Sequence, residues 1–503
     1  MVQPAERRCT GCGCRLSRYN AEDRCATCIR HLPSHAAAGG AVPEEVWRDV
    51  DVREALAAWD FSRVSRLVRQ RGALRQEDVA ALTGLSQAFL SMLESGQRRL
   101  TNIDKITEFL AGLGAPAGLL RLPLPGNSAE PQDTTAKDDG DQDPALPWTV
   151  DRMVAALREA AGHRALDHGT LLSRRGIELT AYVHHWGTAE AEPLLRAQDG
   201  RPIPDSLLAH LQGTTDHLRL MDAAAGSGTL ADLGSAHLEL VLRILKQGTH
   251  TEAAGHRLAG IAADTATQTG WFAFDAGQHA HAQRYFLAAL RAAHASGDVR
   301  LGAGALSYIA IHSYSTGYPR DAVVAAQAAR EKIKTLHAPA LEAMLLTRQA
   351  RGHAVLGEGK AALRALGLAG ELCAQGRSEN DPHWLYWINE GEIHGQAGSC
   401  YLELGDPGQA IGSFTQAHDA LTPSDLRTRA LFLSRAATAQ IRAGELEAGC
   451  ATAHEAVALG EHLQSARLHE HLRTVIEELT PVSHTPYARD LLERTAVLTK
   501  MGN

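Results

Sequence analysis

Five glycines at a near-regular interval constrain this chain more than any other feature. Gly277, Gly317, Gly357, Gly405 and Gly444 follow one another at spacings of 39–48 residues. Five residues after them come Ala282, Ala322, Ala362, Ala410 and Gly449, and twelve after come Ala289, Ala329, Ala369, Ala417 and Ala456. Seven before them come Gly270, Ala310, Ala350, Gly398 and Ala437. Every one of these positions is small. A period of this length marks a repeated supersecondary unit that buries its apolar face only against its neighbours. Two helices that cross closely need small residues at the crossing, and the glycine marks the turn between them. Nine residues after the glycine, Phe286 and Phe414 are aromatic, whereas Ala326, Leu366 and Ala453 are not.

Composition agrees with that reading. Aromatic residues make up only 5% of the 503-residue chain and alanine is abundant, which favours closely packed helices over β-sandwiches. The expected fold class is mainly all-α, and the length suits roughly three domains. The repeat resembles the tetratricopeptide repeat, with units longer than the usual ~34 residues. That resemblance implies a curved solenoid over 265–503 with a concave binding face. Residues 148–264 read as a further helical domain. Within it His184, His185 and Trp186 stand together; a metal or ligand role is open, and a packed surface-to-core segment is the favoured reading. Gly226-Ser227-Gly228 follows an alanine-rich helix, not a strand, so it does not indicate nucleotide binding. Cys373, Cys400 and Cys450 are unclustered and read as ordinary buried thiols.

A second constraint lies in Gln76–Ser95, QEDVAALTGLSQAFLSMLES. Val79, Ala80 and Leu82 are apolar at helical spacing, and Gly84 interrupts them where a left-handed residue is cheapest. Ser86 is placed to cap a second helix, with Phe89, Leu90 and Leu93 as its apolar stripe. Helices are expected on either side, over Ser62–Arg71 and Asn102–Gly112. Gln76, Glu77, Val79, Ala80, Gly84, Leu85, Ser86, Gln87, Leu90, Leu93, Glu94 and Gly96 carry a resemblance to the Cro/repressor-type (XRE) helix-turn-helix family. The DNA-binding domain is set at 61–125. The resemblance implies that the helix after Gly84 enters the major groove, where its N-terminal residues meet base edges. Ser86, Gln87, Ala88, Ser91 and Met92 are then the base-facing candidates. Gln87 can pair bidentately with adenine, and Ala88 and Met92 offer only apolar contact. Gln76 is expected to cap its helix near a phosphate, and Arg75, Arg98 and Arg99 to neutralise neighbouring phosphates.

Charge distribution supports a localised nucleic-acid face. The formal net charge is −8, yet residues 61–101 hold seven Arg (63, 66, 69, 71, 75, 98 and 99) against Glu77, Asp78 and Glu94. Basic charge gathered on one small domain is the footprint expected of phosphate contact. Residues 126–147 carry acids with Pro and Gly and read as an acidic disordered linker.

The N-terminal segment carries a third signal. Five of the eight cysteines precede residue 29. Cys9 and Cys12 form one C-x2-C knuckle, and Cys25 and Cys28 form another, which together suit four thiolates around one structural Zn2+. A segment of about 30 residues cannot bury a sufficient core, so the metal would supply its folding energy. Cys14 is an alternative ligand to Cys12, and His31 and His35 are backups. The ribbon is set at 1–35. A connector follows over 36–60, with a short helix over Val46–Trp59.

No run of 18 apolar residues and no leader-like segment are found, so no membrane partner is expected. The chain reads as a soluble cytoplasmic, nucleoid-associated protein. No H-E-x-x-H, P-loop or G-x-S-x-G is present, and an enzyme is not expected. The domain order resembles that of actinobacterial XRE-type regulators and, more distantly, of peptide-sensing regulators. It implies a sequence-specific regulator, a homodimer on a double-stranded DNA operator, with a helical-repeat body that senses a small molecule, peptide or protein. The alternative is a repeat-type interaction adaptor with weak, non-specific DNA binding.

Overall fold

The structure is a computed structural model. It describes residues 14, 42–43, 46–47, 49–57, 60–72, 74–98, 100, 103–115, 147–162, 174–190, 192, 194, 203–227, 230–247, 250–422, 424–461 and 463–501. The described residues fall into two compact units, one within 1–133 with 176–181, the other within 134–175 and 182–503. Both are helical. Among the described residues no strand forms, and an isolated bridge joins Gly226 to Gln464. Cys9, Cys12, Cys25 and Cys28 lie outside the described residues, as do His31, His35, Arg99 and 126–146 of the linker.

In the first unit α1 (Val50–Ala57) is followed by α2 (Phe61–Arg71), α3 (Gln76–Thr83), α4 (Gln87–Glu94) and α5 (Ile103–Gly112). Their core is Val64, Val68, Val79, Leu90, Leu93, Ile106, Phe109 and Leu110, all buried. Phe61 meets Phe109 edge to face, with centroids 6.4 Å apart. Leu67 is half-buried, and Ser65 is buried beside Val64 and Val68. The connector is part of this unit. Trp47, Val52, Ala55 and Leu56 are buried, and Arg71 at the end of α2 pairs with Asp49 and Asp51.

The second unit begins with α6 (Val150–Ala161), the part of α7 (Ile177–Thr188) from Tyr182 onward, α8 (Asp205–Ala225) and α9 (Leu230–Gln247). Trp186 of α7 is buried against Gly302, where an added Cβ would lie 2.3 Å from the indole. The segment around His184 is therefore packed, as the favoured reading expected. Six helical hairpins follow: α10 (Glu252–Asp275) with α11 (His279–Ser296), α12 (Val299–Ser315) with α13 (Pro319–Ile333), α14 (Pro339–Val355) with α15 (Gly359–Ala374), α16 (Glu390–Glu403) with α17 (Pro407–Ala420), α18 (Leu426–Arg442) with α19 (Leu446–Gly460), and α20 (Ala466–Leu479) with α21 (Pro486–Met501).

The boundary read at 264/265 falls inside α10, so the first hairpin starts at Glu252. The sixth hairpin lacks the glycine that marked the other five. Its turn is a 3-10 turn over Thr480–Val482, which no glycine alignment could reveal. The 48-residue spacing from Gly357 to Gly405 is explained by an insertion before α16. There Asp381 accepts from the Leu341 amide at 2.9 Å and caps α14.

Each of the five repeat glycines adopts positive φ, from 72° to 87°. The residue after each donates its amide to the carbonyl five back: Gln278 to Ala273, Tyr318 to Ser313, Glu358 to His353, Asp406 to Tyr401 and Glu445 to Gln440, at 2.8–2.9 Å. This is the Schellman closure, and it satisfies carbonyls that the helix end would otherwise leave unpaired. The small positions do what their size suggests. The alanines at all three aligned offsets are buried. Gly270 faces Phe286 and Gly398 faces Phe414, each so close that a Cβ would lie 2.7 or 2.8 Å from the ring. Where the second helix carries Ala326, Leu366 or Ala453 instead, the first carries alanine. The repeat thus keeps one crossing volume by trading glycine and phenylalanine against alanine and a smaller partner.

Cys400 is fully buried, and burial pushes its thiol up to about 12. Cys450 is buried too, whereas Cys373 is only half-buried.

Two outcomes follow for stability. Gly270→Ala and Gly398→Ala each overpack a crossing and are expected to cost about 1–3 kcal/mol. Gly367→Ala on α15, where a Cβ meets nothing within 4 Å, should instead stabilise by about 0.5–1 kcal/mol; thermal and denaturant unfolding of the three variants measures the contrast. Acid should also weaken this unit. His312 is buried and donates from Nε2 to the His279 carbonyl at 3.0 Å. Burial and then the neighbouring His279 lower its pKa from 6.5 to about 4. A depressed histidine favours the folded state above pH 6.5, and that contribution is lost as pH falls from 6.5 towards 4. At pH 5 the loss is about 2 kcal/mol, and His312→Gln should flatten the fall in Tm between pH 7 and pH 5.

Candidate functional site

The turn between α3 and α4 places the interface. Gly84 ends α3 in the left-handed region, at φ 69°. Ser86 is extended and caps α4, its hydroxyl accepting from the Phe89 amide at 3.2 Å. The cap exposes the first turn of α4 while Leu90 and Leu93 are buried beneath it. Ser86, Gln87, Ala88 and Ser91 all lie exposed on this surface, with Arg98 exposed in the loop that follows. Five of the sequence candidates are thus exposed. Met92, read as outward, is half-buried. Its carbonyl accepts from the Arg98 amide at 2.9 Å and from the Ser95 hydroxyl at 3.1 Å, so the loop folds back over its turn.

The cap of α3 differs from the expectation. Arg75, not Gln76, is the N-cap, and its amide donates to the Asp78 carboxylate at 2.7 Å. Arg75 is exposed. Gln76 is the first helical residue, and its side-chain amide donates to Glu94 Oε2 at 3.4 Å.

Glu94 is the residue whose role the sequence pattern did not disclose. It ends α4 and is buried. Its Oε1 accepts from the Ser65 hydroxyl at 2.9 Å and from Arg69 Nε at 3.1 Å, and its Oε2 accepts from Arg69 Nη2 at 3.0 Å. Its backbone carbonyl accepts from the Ser62 hydroxyl at 3.4 Å. One carboxylate thus binds α4 to both α2 and α3. The signal was present, since Glu94 and Gln76 both matched the family pattern, but pairwise distance cannot be read from a consensus.

This network revises the charge reading. Arg69 is committed to Glu94, and Arg71 to Asp49 and Asp51. Arg63 lies 3.5 Å from Asp51. Of the seven arginines of 61–101, Arg66, Arg75 and Arg98 are described, exposed and outside these ion pairs.

The second unit contains a cavity of about 390 Å³, within the roughly 300–1,000 Å³ range of small-molecule sites. Most of its wall comes from the first helices of the hairpins, including Trp271, Tyr308, Arg348, Arg435 and Arg467, with α8, His279 of α11 and the segments before α16 and α18 completing it. Sequence reading anticipated a concave face without these residues, because no spacing rule relates side chains from six repeats.

Comparison with known proteins agrees with the geometry of the first unit. Residues 66–117 match the helix-turn-helix family HTH_3. A Mycobacterium tuberculosis protein described as the antitoxin HigA3 is 39% identical over 72 residues, which are 14% of this chain. The chain spans 61% of that relative's length. The first unit thus carries a helix-turn-helix domain of the XRE type. Among the described residues no helix is long and apolar enough to cross a membrane.

Removing one partner of a buried ion pair leaves the other charge uncompensated and costs about 3–5 kcal/mol. Glu94→Ala is therefore expected to destabilise the first unit by about 3 kcal/mol, whereas Gln87→Ala on the exposed face should change stability by less than about 0.5 kcal/mol. Chemical denaturation followed by a probe in α2 or α4 separates the two.

Proposed function

We propose that this protein is a sequence-specific DNA-binding transcriptional regulator, acting as a homodimer, whose helical body senses a ligand. The exposed N-terminal turn of α4, bearing Gln87 beside Ser86, Ala88 and Ser91, is the observation that carries it. That turn suits entry into a major groove. Gln87 then reads adenine N6 and N7, a discrimination of about 1–3 kcal/mol. Ala88 adds apolar contact, and Met92, half-buried, supports the turn more than it reads a base. Arg75 and Arg98 neutralise phosphates that set the register, and Arg99 and the amide end of α3 at Gln76 are assigned the same part. With so few base-reading side chains, DNA shape contributes to the choice of site. Two heads on a pseudo-palindrome would stand one helical turn apart, about 34 Å.

The helical hairpins form the sensing body, a tetratricopeptide-like solenoid in this reading. A ligand that favours one arrangement of that body shifts DNA affinity by its differential binding to the two states. Four thiolates from Cys9, Cys12, Cys25 and Cys28 hold one structural zinc ion. Two C-x2-C knuckles are the donor set such an ion takes.

Selection of bound sequences from a random DNA library by the zinc-loaded protein tests the regulator reading. An inverted-repeat motif is expected, with Gln87→Ala relaxing it at one base. Arg98→Gln should weaken binding about equally across sequences and reduce the salt slope by about 1. Enrichment of no motif, with Gln87→Ala unchanged, would replace this reading with the adaptor. Elemental analysis is expected to find one zinc per chain, lost on Cys25→Ser.

A further inference from the structure

The cavity of the second unit is lined by six arginines, and their pairing is uneven. Arg219 is matched by Asp216 at 2.7 Å and Asp264 at 2.6 Å. Arg427 Nη1 binds both oxygens of Asp222, at 2.7 and 2.8 Å. Arg348 lies 3.5 Å from Glu392. The other three crowd one end of the cavity. Arg351 and Arg435 share a single oxygen of Glu403, at 3.5 and 2.9 Å. The nearest carboxylate oxygen to Arg467 belongs to Asp275, 4.0 Å away, and Arg427 also approaches that carboxylate, at 3.9 Å.

Polar atoms at this end are left over. Nε of Arg351, Nε of Arg435 and Oε1 of Gln396 are buried without a hydrogen-bond partner; Arg351 is itself more than nine-tenths buried. The like charges also act on one another. Burial, and then the charge of Arg351, lower the pKa of Arg435. His471 lines the same end, and burial followed by Arg435, Arg467 and Arg351 holds it neutral, well below its usual range. Glu470 beside it is exposed and acts on His279. Three guanidiniums, two sharing Glu403 and the third 4.0 Å from Asp275, form a costly arrangement that an added anion relieves.

The rest of the wall is aromatic. The guanidiniums of Arg427 and Arg467 lie 5.1 and 5.0 Å from the ring centre of Trp271. Tyr314 lies 4.9 Å from Arg351, and Tyr308 is 5.2 Å from Trp271. Aromatic faces and guanidinium planes both stack on a flat ring.

We propose that this cavity binds a small aromatic acid, its carboxylate, sulfonate or phosphate held by Arg351, Arg435 and Arg467 and its ring against Trp271, Tyr308 and Tyr314. The proposal rests on the sensing reading above and names the chemistry of the ligand. Guanidinium forks match such oxyanions with two hydrogen bonds, and the cavity volume of about 390 Å³ suits a small molecule.

The test uses the full-length protein without DNA. 8-Anilinonaphthalene-1-sulfonate is titrated, with N-phenyl-1-naphthylamine as the neutral probe of the same ring system. The sulfonate is expected to saturate at one equivalent and to bind at least about tenfold tighter than the neutral probe. R435Q and R467Q should each weaken the sulfonate about tenfold and leave the neutral probe unchanged. Circular dichroism and Tm report whether the variants fold. Arg467 has no close ion pair, so R467Q keeps the test decisive should R435Q unfold. Equal binding of the two probes, or a folded R467Q that binds the sulfonate as well as the wild type, overturns the proposal. Saturable, Arg467-dependent binding that leaves operator affinity unchanged upholds the site and overturns the sensing role alone.

Discussion

Close approach of paired helices is the constraint on which the larger unit depends. At each crossing the two backbones come near enough that a single methyl group decides the fit. Gly270 and Gly398 make room for the rings of Phe286 and Phe414, within 3 Å of where a Cβ would stand. Elsewhere buried alanines face smaller partners. Native interiors have little free volume, so the crossing tolerates exchange between its two sides but not growth on one. Each hairpin can then stack on the next, and the first helices of successive hairpins share a common inner wall.

In the smaller unit the equivalent constraint is polar. Glu94 gathers Ser65, Arg69 and Gln76 around one buried carboxylate, which fixes the last turn of α4 against α2 and α3. The first turn of the same helix is held by the Ser86 cap. A helix of eight residues has little stability of its own. Anchoring it at both ends leaves the outer face of Gln87, Ala88 and Ser91 free to be chosen for recognition. The cavity in the other unit uses buried charge in the opposite way. There arginine outnumbers its partners at one end, and the surplus marks a place for a ligand.

The sequence was most informative where chemistry is local. The turn glycines, the Ser86 cap, the left-handed Gly84 and the small crossing positions were all legible, because each is dictated by backbone geometry within a few residues. The helices flanking the turn were placed within a residue of their bounds. Less legible were features that depend on partners far along the chain. Arg69 and Arg71 counted as free basic groups until Glu94, Asp49 and Asp51 were seen beside them. Gln76 read as a cap until its side chain was found on Glu94. Met92 read as outward until the following loop was seen to close on its turn. The sixth hairpin escaped the repeat alignment because a 3-10 turn takes the place of its glycine.

By itself the sequence determined a mainly helical fold class, a helix-turn-helix of known type, and a repeated hairpin with a fixed crossing volume. These follow from periodicities of a few residues and from the small set of side chains that a tight turn or crossing admits. Only the tertiary structure decided which charges are spent on the fold and which remain for a partner. It alone assembled Arg351, Arg435 and Arg467, from three different repeats, around Trp271 and Tyr314. Electrostatic pairing depends on distance in space, and in this stack of hairpins Arg351 and Arg435 stand 84 residues apart in the chain and Arg435 and Arg467 stand 32 apart.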